Sequence, residues 1–213
     1  MKHESREIAY VLMDRVGRPR HVVEVGACGS EHIQMWPFVF DKKCRIQLVE
    51  PNPVGAAEIR AAYAGFPNIE VLEYAVAEDF GRMTLLVPDG TKNPDAPASA
   101  YLESLPGSPY LSREAAGRAE KLLSVRVETV PFSHIDDGTI DGLSVDTEGA
   151  EWFVLKTMKS RPAVISVEME GPNGYKNPYC TEIEDWVAAN GYVRHSVELA
   201  YGYVRTDYIY VKE

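Results

Sequence analysis

Residues 21–30, HVVEVGACGS, decide the fold. The β-branched Val22, Val23 and Val25 predict a short buried strand, and Gly26 ends it. Glu24, Gly26 and Gly29 have the form E-x-G-x-x-G at what reads as a strand-to-helix turn, where glycine lets backbone lie close to a nucleoside ligand. The next strand is RIQLVEP at 45–51. Its closing Glu50 stands roughly 20 residues after the last glycine, the spacing that sets a carboxylate beside a ribose diol.

The pattern then alternates. PVGAAEIRAAYAG, from Pro53, predicts a helix capped by Asn52, because proline suits the first helical turn and asparagine accepts its free N–H groups. NIEVLEYAV at 68–76 is a third strand, and GRMTLLV at 81–87 an added one paired nearby. Further on come LLSVRVETV, DGLSVDTEG, a helix from about Glu148 to Met158, PAVISVEME and the helix TEIEDWVAANG. Two closing strands, YVRHSVE and TDYIYVKE, are too close together for a helix between them. An opening helix in SREIAYVLMDRV places Ile8, Val11 and Leu12 at helical spacing. The order implies an α/β fold, a mostly parallel sheet with helices on both faces and a C-terminal antiparallel hairpin. From Pro88 to about Glu120 periodicity fails in a stretch rich in Pro, Gly, Ser and Tyr, which is expected to be an inserted loop or lid. No repeat or linker divides the remainder, so residues 1–213 read as a single domain.

Thirty-two acidic residues against 22 Lys and Arg give a formal net charge of −10. Such a surface repels a phosphate backbone and an anionic membrane, which argues against nucleic acid as a partner. Cys28, Cys44 and Cys180 have no metal-ligand spacing and fit a reducing compartment. No apolar run reaches the ~18 residues of a membrane span, and the charged start is unlike a signal peptide, so a cytoplasmic location is expected.

Charge also bears on the ligand of the glycine turn. A dinucleotide fold usually carries glycine where Glu24 stands, because backbone must bend tightly beside a pyrophosphate, and a carboxylate there repels phosphate. S-adenosylmethionine has no phosphate and carries an ammonium and a sulfonium, so acids at the turn favour it. The plainer reading is that Glu24 caps a helix or pairs with an arginine.

VEVGACGS at 23–30, LVEPNP at 48–53 and LSVDTEGAEWFVL at 143–155 resemble the FkbM-type methyltransferase family, over roughly residues 20–170 and again in the DYIYV close. The resemblance implies a Rossmann-like seven-stranded fold, S-adenosylmethionine as cofactor, and O-methylation of a hydroxyl on a small molecule such as a sugar or natural product. By position it implies that Gly26, Ala27 and Gly29, with Ser30 beside them, line the methionine end. Glu50, with Pro51 and Asn52, would hold the ribose, and Ala75 and Val76 would lie by the adenine. The chain departs from the family at Val130-Pro131-Phe132-Ser133-His134, where members commonly have Thr-Leu-Asp.

Displacement at a sulfonium needs alignment above all, but a hydroxyl acceptor must also lose its proton to a base. Candidates are His134, Asp146, Glu148, Glu168, Glu170 and His195, with His134 the first choice. Asp146 ends the fourth strand, where ligands collect in open α/β sheets. Glu148 and Glu151 follow at a helix start, where the helix dipole alone would account for them. Alternation puts Glu168 and Glu170 on one face, and with Asp146 they can take a divalent cation through hard oxygens, or equally form a hydrogen-bonding rim. Tyr101, Tyr110 and Tyr175 either face an acceptor ring or pin their loops. Trp36 and Phe40 read as a core pair, and Cys28 as a small tolerated residue rather than a nucleophile. Two rivals remain: an NAD-dependent Rossmann oxidoreductase, for which a third glycine and a Tyr-x-x-x-Lys are missing, and a catalytically silent saccharide- or partner-binding module.

Overall fold

Strands that are apolar on both faces need cover on both sides, and the chain supplies it from helices at its start, middle and end. A computed structural model describes residues 7–88, 100–103, 122–171, 175–195 and 207–213. The first half holds β1 (His21–Val25), β2 (Arg45–Val49), β3 (Ile69–Leu72), β4 (Ala75–Val76), β5 (Gly81–Pro88) and β6 (Tyr101–Leu102). The second holds β7 (Leu122–Val130), β8 (Gly142–Val145), β9 (Val164–Glu168), β10 (Glu170–Gly171), β11 (Tyr175–Lys176), β12 (Tyr192–His195) and β13 (Asp207–Lys212). The helices are α1 (Glu7–Val16), α2 (Pro53–Ala62), α3 (Glu151–Thr157) and α4 (Cys180–Ala189).

Seven strands form the main sheet in the order β12-β13-β9-β8-β1-β2-β3. β1 lies parallel to β2 and β8, β2 to β3, and β8 to β9, while β13 runs antiparallel between β9 and β12. This is the expected mostly parallel sheet with its closing antiparallel hairpin. Along β1 the side chains alternate: Val22 packs with Ile8, Leu12, Leu48 and Ile59, and Val23 and Val25 pack with Leu143, Val154, Leu155 and Ile183 on the other face. So α1 and α2 cover one side, and α3 and α4 the other. Strand order reverses direction between β1 and β8, which puts the ligand-binding crevice of an open α/β sheet at the ends of those two strands.

Four expectations change. NIEVLEYAV is not one strand: β3 ends at Leu72, and Ala75–Val76 joins a second sheet, β4-β7-β5-β6, pairing with Thr129 and Val130. β3 is the last strand of the main sheet, and among the described residues no strand pairs with its outer edge. The glycine turn leads not to an α-helix but to a 3-10 turn at Trp36–Phe38, where Pro37 removes a backbone donor. Phe40, expected in the core, is exposed, with its ring in edge contacts with Trp36 and Phe66. The helix expected from Glu148 begins at Glu151, because Glu148 (φ 55°) and Gly149 (φ 114°) are left-handed.

The insertion rises from an antiparallel β5–β7 stem, and residues 101–102 within it form a strand on β5 rather than loop. Residues 89–99 and 104–120 of the expected lid, Tyr110 included, lie outside the described residues. No helix among the described residues is long and apolar enough to cross a membrane.

Candidate active site

Gly26 adopts φ 87°, and a Cβ there would stand 1.6 Å from the carbonyl oxygen of Asp146. Only glycine lets β1 and β8 end so close together. The turn is tied to β2: the N–H groups of Gly26 and Ala27 donate to the Val49 carbonyl at 2.9 and 3.2 Å. Cys28 sits at φ 58°, costly for a residue with a side chain, and burial pushes its thiol up to about 12, which makes it a poor nucleophile. A Cβ at Gly29 would meet only the side chains of Glu58 and His32, at ordinary contact distance, and Glu58 also accepts a hydrogen bond from Ser30 at 3.0 Å.

Register pairs Glu24 with Leu48, so Glu24 and Glu50 face the same side of the sheet. Both are buried and both hold backbone. Glu50 accepts the Cys28 N–H at 2.7 Å on one oxygen and the Asn52 N–H at 2.8 Å on the other. Asn52 in turn caps α2, accepting from Val54 at 3.1 Å as its sequence position predicts. Glu24 accepts from Gln34 at 2.9 Å and Met35 at 3.1 Å, and burial raises its carboxyl to about 7. The plainer reading of Glu24 is close to what it does: it caps the 3-10 turn from below.

Asp146, just past β8, and Glu168, the last residue of β9, share a hydrogen bond. Burial first, then neighbouring carboxylates, raises both, Asp146 well above its ordinary value and Glu168 to about 12. Those neighbours include Glu148 and Asp207, the latter in register with Glu168 on β13. Glu168 Oε2 is buried with no hydrogen-bond partner. A bare carboxylate oxygen inside a protein is costly unless a ligand or water meets it, so it marks the point where the crevice expects a polar group.

The model of the FkbM methyltransferase domain matches residues 24–194. The chain belongs to the FkbM methyltransferase family. Its activity is therefore methyl transfer from S-adenosylmethionine, which removes the oxidoreductase alternative. Among solved structures, it is similar to a methyltransferase from Geobacter sulfurreducens at 12% identity and TM-score 0.50, covering 100% of this chain and 80% of that one, which bears on the fold alone. Fibrillarin from Aeropyrum pernix (13% identity, TM-score 0.48, 98% and 74% covered) and a SAM-dependent methyltransferase from Aquifex aeolicus (12%, 0.46, 96% and 86%) are more distant in shape. No curated protein matches the chain.

Within this FkbM domain, Glu151 is fully buried and structural. It accepts from Thr147 N–H and hydroxyl at 2.8 Å, from Gly149 at 3.1 Å and from Asn177 at 2.6 Å, and so closes the Asp146–Glu151 turn. Glu170 does not join Asp146 and Glu168 as alternation predicts. β9 stops at Glu168, Glu170 opens the β10–β11 ribbon, and there it raises the phenol of Tyr208, second to burial. Among the described residues no group of three or more His, Cys, Asp or Glu is placed to hold a metal ion. His134 is exposed on the 3-10 turn after β7, edge-on to Tyr74 at 6.1 Å and Phe80 at 5.2 Å, and no described contact links it to the acid pair. His195 is exposed on edge strand β12.

Three residues of the FkbM site escape sequence reading. Gln34 bridges Ser144 (2.9 Å) and Asp207 (3.3 Å) beneath the acid pair, Asp207 faces Glu168, and buried Asn177 joins Glu151 to the Glu168 carbonyl at 3.1 Å. Asn177 has a local signal in the Asn-Pro turn of YKNPYC and Asp207 opens the DYIYV close, whereas Gln34 has none.

Proposed function

We propose that the chain is an O-methyltransferase of one domain, acting on a hydroxylated small molecule with sugars and glycosylated natural products foremost. The observation that carries this reading is the Asp146–Glu168 pair, protonated more readily than ordinary acids and with Glu168 Oε2 bare. A hydroxyl is a poor nucleophile until its proton has somewhere to go, and a positioned base contributes about 10²- to 10⁴-fold.

The residues fit S-adenosylmethionine. Gly26 lets the ends of β1 and β8 converge into one crevice floor, and each Glu50 oxygen spends one lone pair on an N–H and keeps another for a ribose hydroxyl. The acids around the crevice favour a cation and disfavour phosphate. Gly26, Ala27, Gly29 and Ser30 would hold the methionine end, and Glu50, Pro51 and Asn52 the ribose. Ala75 and Val76 spend their side chains on the two cores, so they would meet adenine through backbone. When bound, the cofactor supplies an electrophilic methyl carbon on a positively charged sulfur.

The pair works in its singly ionised state, in which one carboxyl is protonated and hydrogen-bonded to the other, and the ionised member takes the hydroxyl proton. Glu148 and Asp207 keep the pair's proton affinity high by charge. This pair, rather than His134, is the base, because it stands at the crevice while no described contact links His134 to it.

The test is a labelled-methyl screen of hydroxylated acceptors with wild type, Asp146→Asn, Glu168→Gln and His134→Ala. Both acid variants should lose roughly 100-fold or more of turnover, and His134→Ala should keep most of it. Full turnover in both acid variants, or methyl on nitrogen or carbon in the product, would overturn the reading. Cofactor binding without transfer to any acceptor would favour the silent module.

A further inference from the structure

Beyond the acid pair, an open cleft of about 620 Å³ runs along the outer edge of the main sheet, where α2 and β3 face the β5–β7 hairpin. One wall is apolar: Pro51, Pro53, Val71 and Leu72, with Tyr74 beside them. Three guanidinium groups also line the cleft, Arg60 from α2 and Arg82 and Arg126 from the hairpin, together with the carboxylates of Glu73 and Glu128. On a chain of net charge −10 this is a local reversal.

Arg60 pairs with Glu73 at 2.7 Å and Arg82 with Glu128 at 3.2 Å, so three cations meet two carboxylates and the cleft stays positive. Arg126 has no hydrogen-bond or ion-pair partner among the described residues. Both existing pairs are well exposed, hence weakly held, and their guanidiniums can turn to a better acceptor. Register sets Arg82 opposite Glu128, and Arg126 is two residues before Glu128, so Arg82 and Arg126 share one face of the hairpin. Arg60 reaches the same space from the opposite wall. Guanidinium forks on two walls match the oxygens of a tetrahedral anion, and the proline and tyrosine wall suits a ring attached to it.

We propose that this cleft is a binding site for a phosphate group carried on a small ring compound. The overall negative charge opposes a polymer, so the ligand is a small molecule. From β3 to β8 is three strand spacings, about 14 Å, so an acceptor can place its own phosphate here only if it is that long. A free phosphate compound would act instead through Pro51 and Pro53, which flank the cap of α2 next to Glu50.

Calorimetry of the full chain with inorganic pyrophosphate, at constant ionic strength, tests this in wild type, Arg82→Glu and Arg126→Glu. Saturable binding weakened at least about tenfold by each exposed substitution is expected. No saturable binding by wild type, or equal affinity in both variants, overturns it. S-adenosylhomocysteine titrated into the same samples reports on the cofactor reading separately: its binding with no pyrophosphate binding removes the cleft and leaves methyl transfer standing, and the converse does the reverse. Two arms give the source. If the acceptor carries the phosphate, Arg126→Glu raises KM for its phosphorylated form alone. If a free compound does, pyrophosphate alters turnover of an unphosphorylated acceptor in wild type and not in Arg126→Glu.

Discussion

Replacing Glu24 by glutamine keeps the side chain's shape and removes its titration. In the folded chain burial holds the Glu24 carboxyl at about 7, against 4.5 when free, despite the N–H groups of Gln34 and Met35 pulling it down. The folded state therefore holds this proton more tightly than the unfolded state. Its contribution to stability is complete below pH 4.5, falls as pH rises, and is gone above about pH 7. The difference between those two values, at about 1.4 kcal/mol per pH unit, is about 3 kcal/mol. Asp146 and Glu168 are raised as well and add loss of the same sign, but they do so in both proteins and cancel on subtraction. Glutamine also turns an amide toward backbone donors, a pH-independent cost of about 1–2 kcal/mol. Urea unfolding at intervals from about pH 4 to about pH 8 should show wild type losing about 3 kcal/mol more than Glu24→Gln across the range. Parallel curves would refute the buried, proton-holding carboxylate.

Gly26→Ala puts a methyl group 1.6 Å from the Asp146 carbonyl oxygen and should abolish folded protein or lower Tm by about 10 °C or more; a Tm within about 2 °C of wild type would count against the close crossing. Cys28→Gly relieves a left-handed residue and should stabilise by about 0.5–1 kcal/mol in denaturant, the strain outweighing the extra freedom of unfolded glycine; any loss would contradict this. Glu148→Gly relieves the same strain but removes a charge that raises Asp146 and Glu168, so the acid limb of the pH–rate profile should move to lower pH. An unmoved limb would separate Glu148 from the pair.

Much of this was legible because it is local. The valines of β1, the turn at Gly26 and the Asn52-Pro53 cap are dictated within a few residues, and each stands where the sequence places it. The misreadings come from contacts between distant segments. NIEVLEYAV has the composition of one strand, and only the β7 partner at Thr129 and Val130 draws its last two residues into another sheet. Glu170 alternates with Glu168 on paper, yet the strand stops between them to form the β10–β11 ribbon. Gln34 carries no motif, and Asp207 opens the DYIYV close without any signal of a role at the site; the first is brought under the acid pair by the Glu24 tether, the second by the antiparallel insertion of β13 beside β9. His134, a histidine after a strand, has its ring edge-on to Tyr74 and Phe80, contacts that no local pattern announces.

The central claim is that a phosphate-free, positively charged nucleoside occupies the turn between Gly26 and Glu50. Titration calorimetry with S-adenosylmethionine and NAD, on wild type and Glu50→Ala, addresses it directly. S-adenosylmethionine should bind wild type, weaken by at least about tenfold in Glu50→Ala as two backbone donors and the ribose lose their acceptor, and NAD should not bind. Binding of NAD alone, or S-adenosylmethionine affinity unchanged by loss of Glu50, would contradict the account.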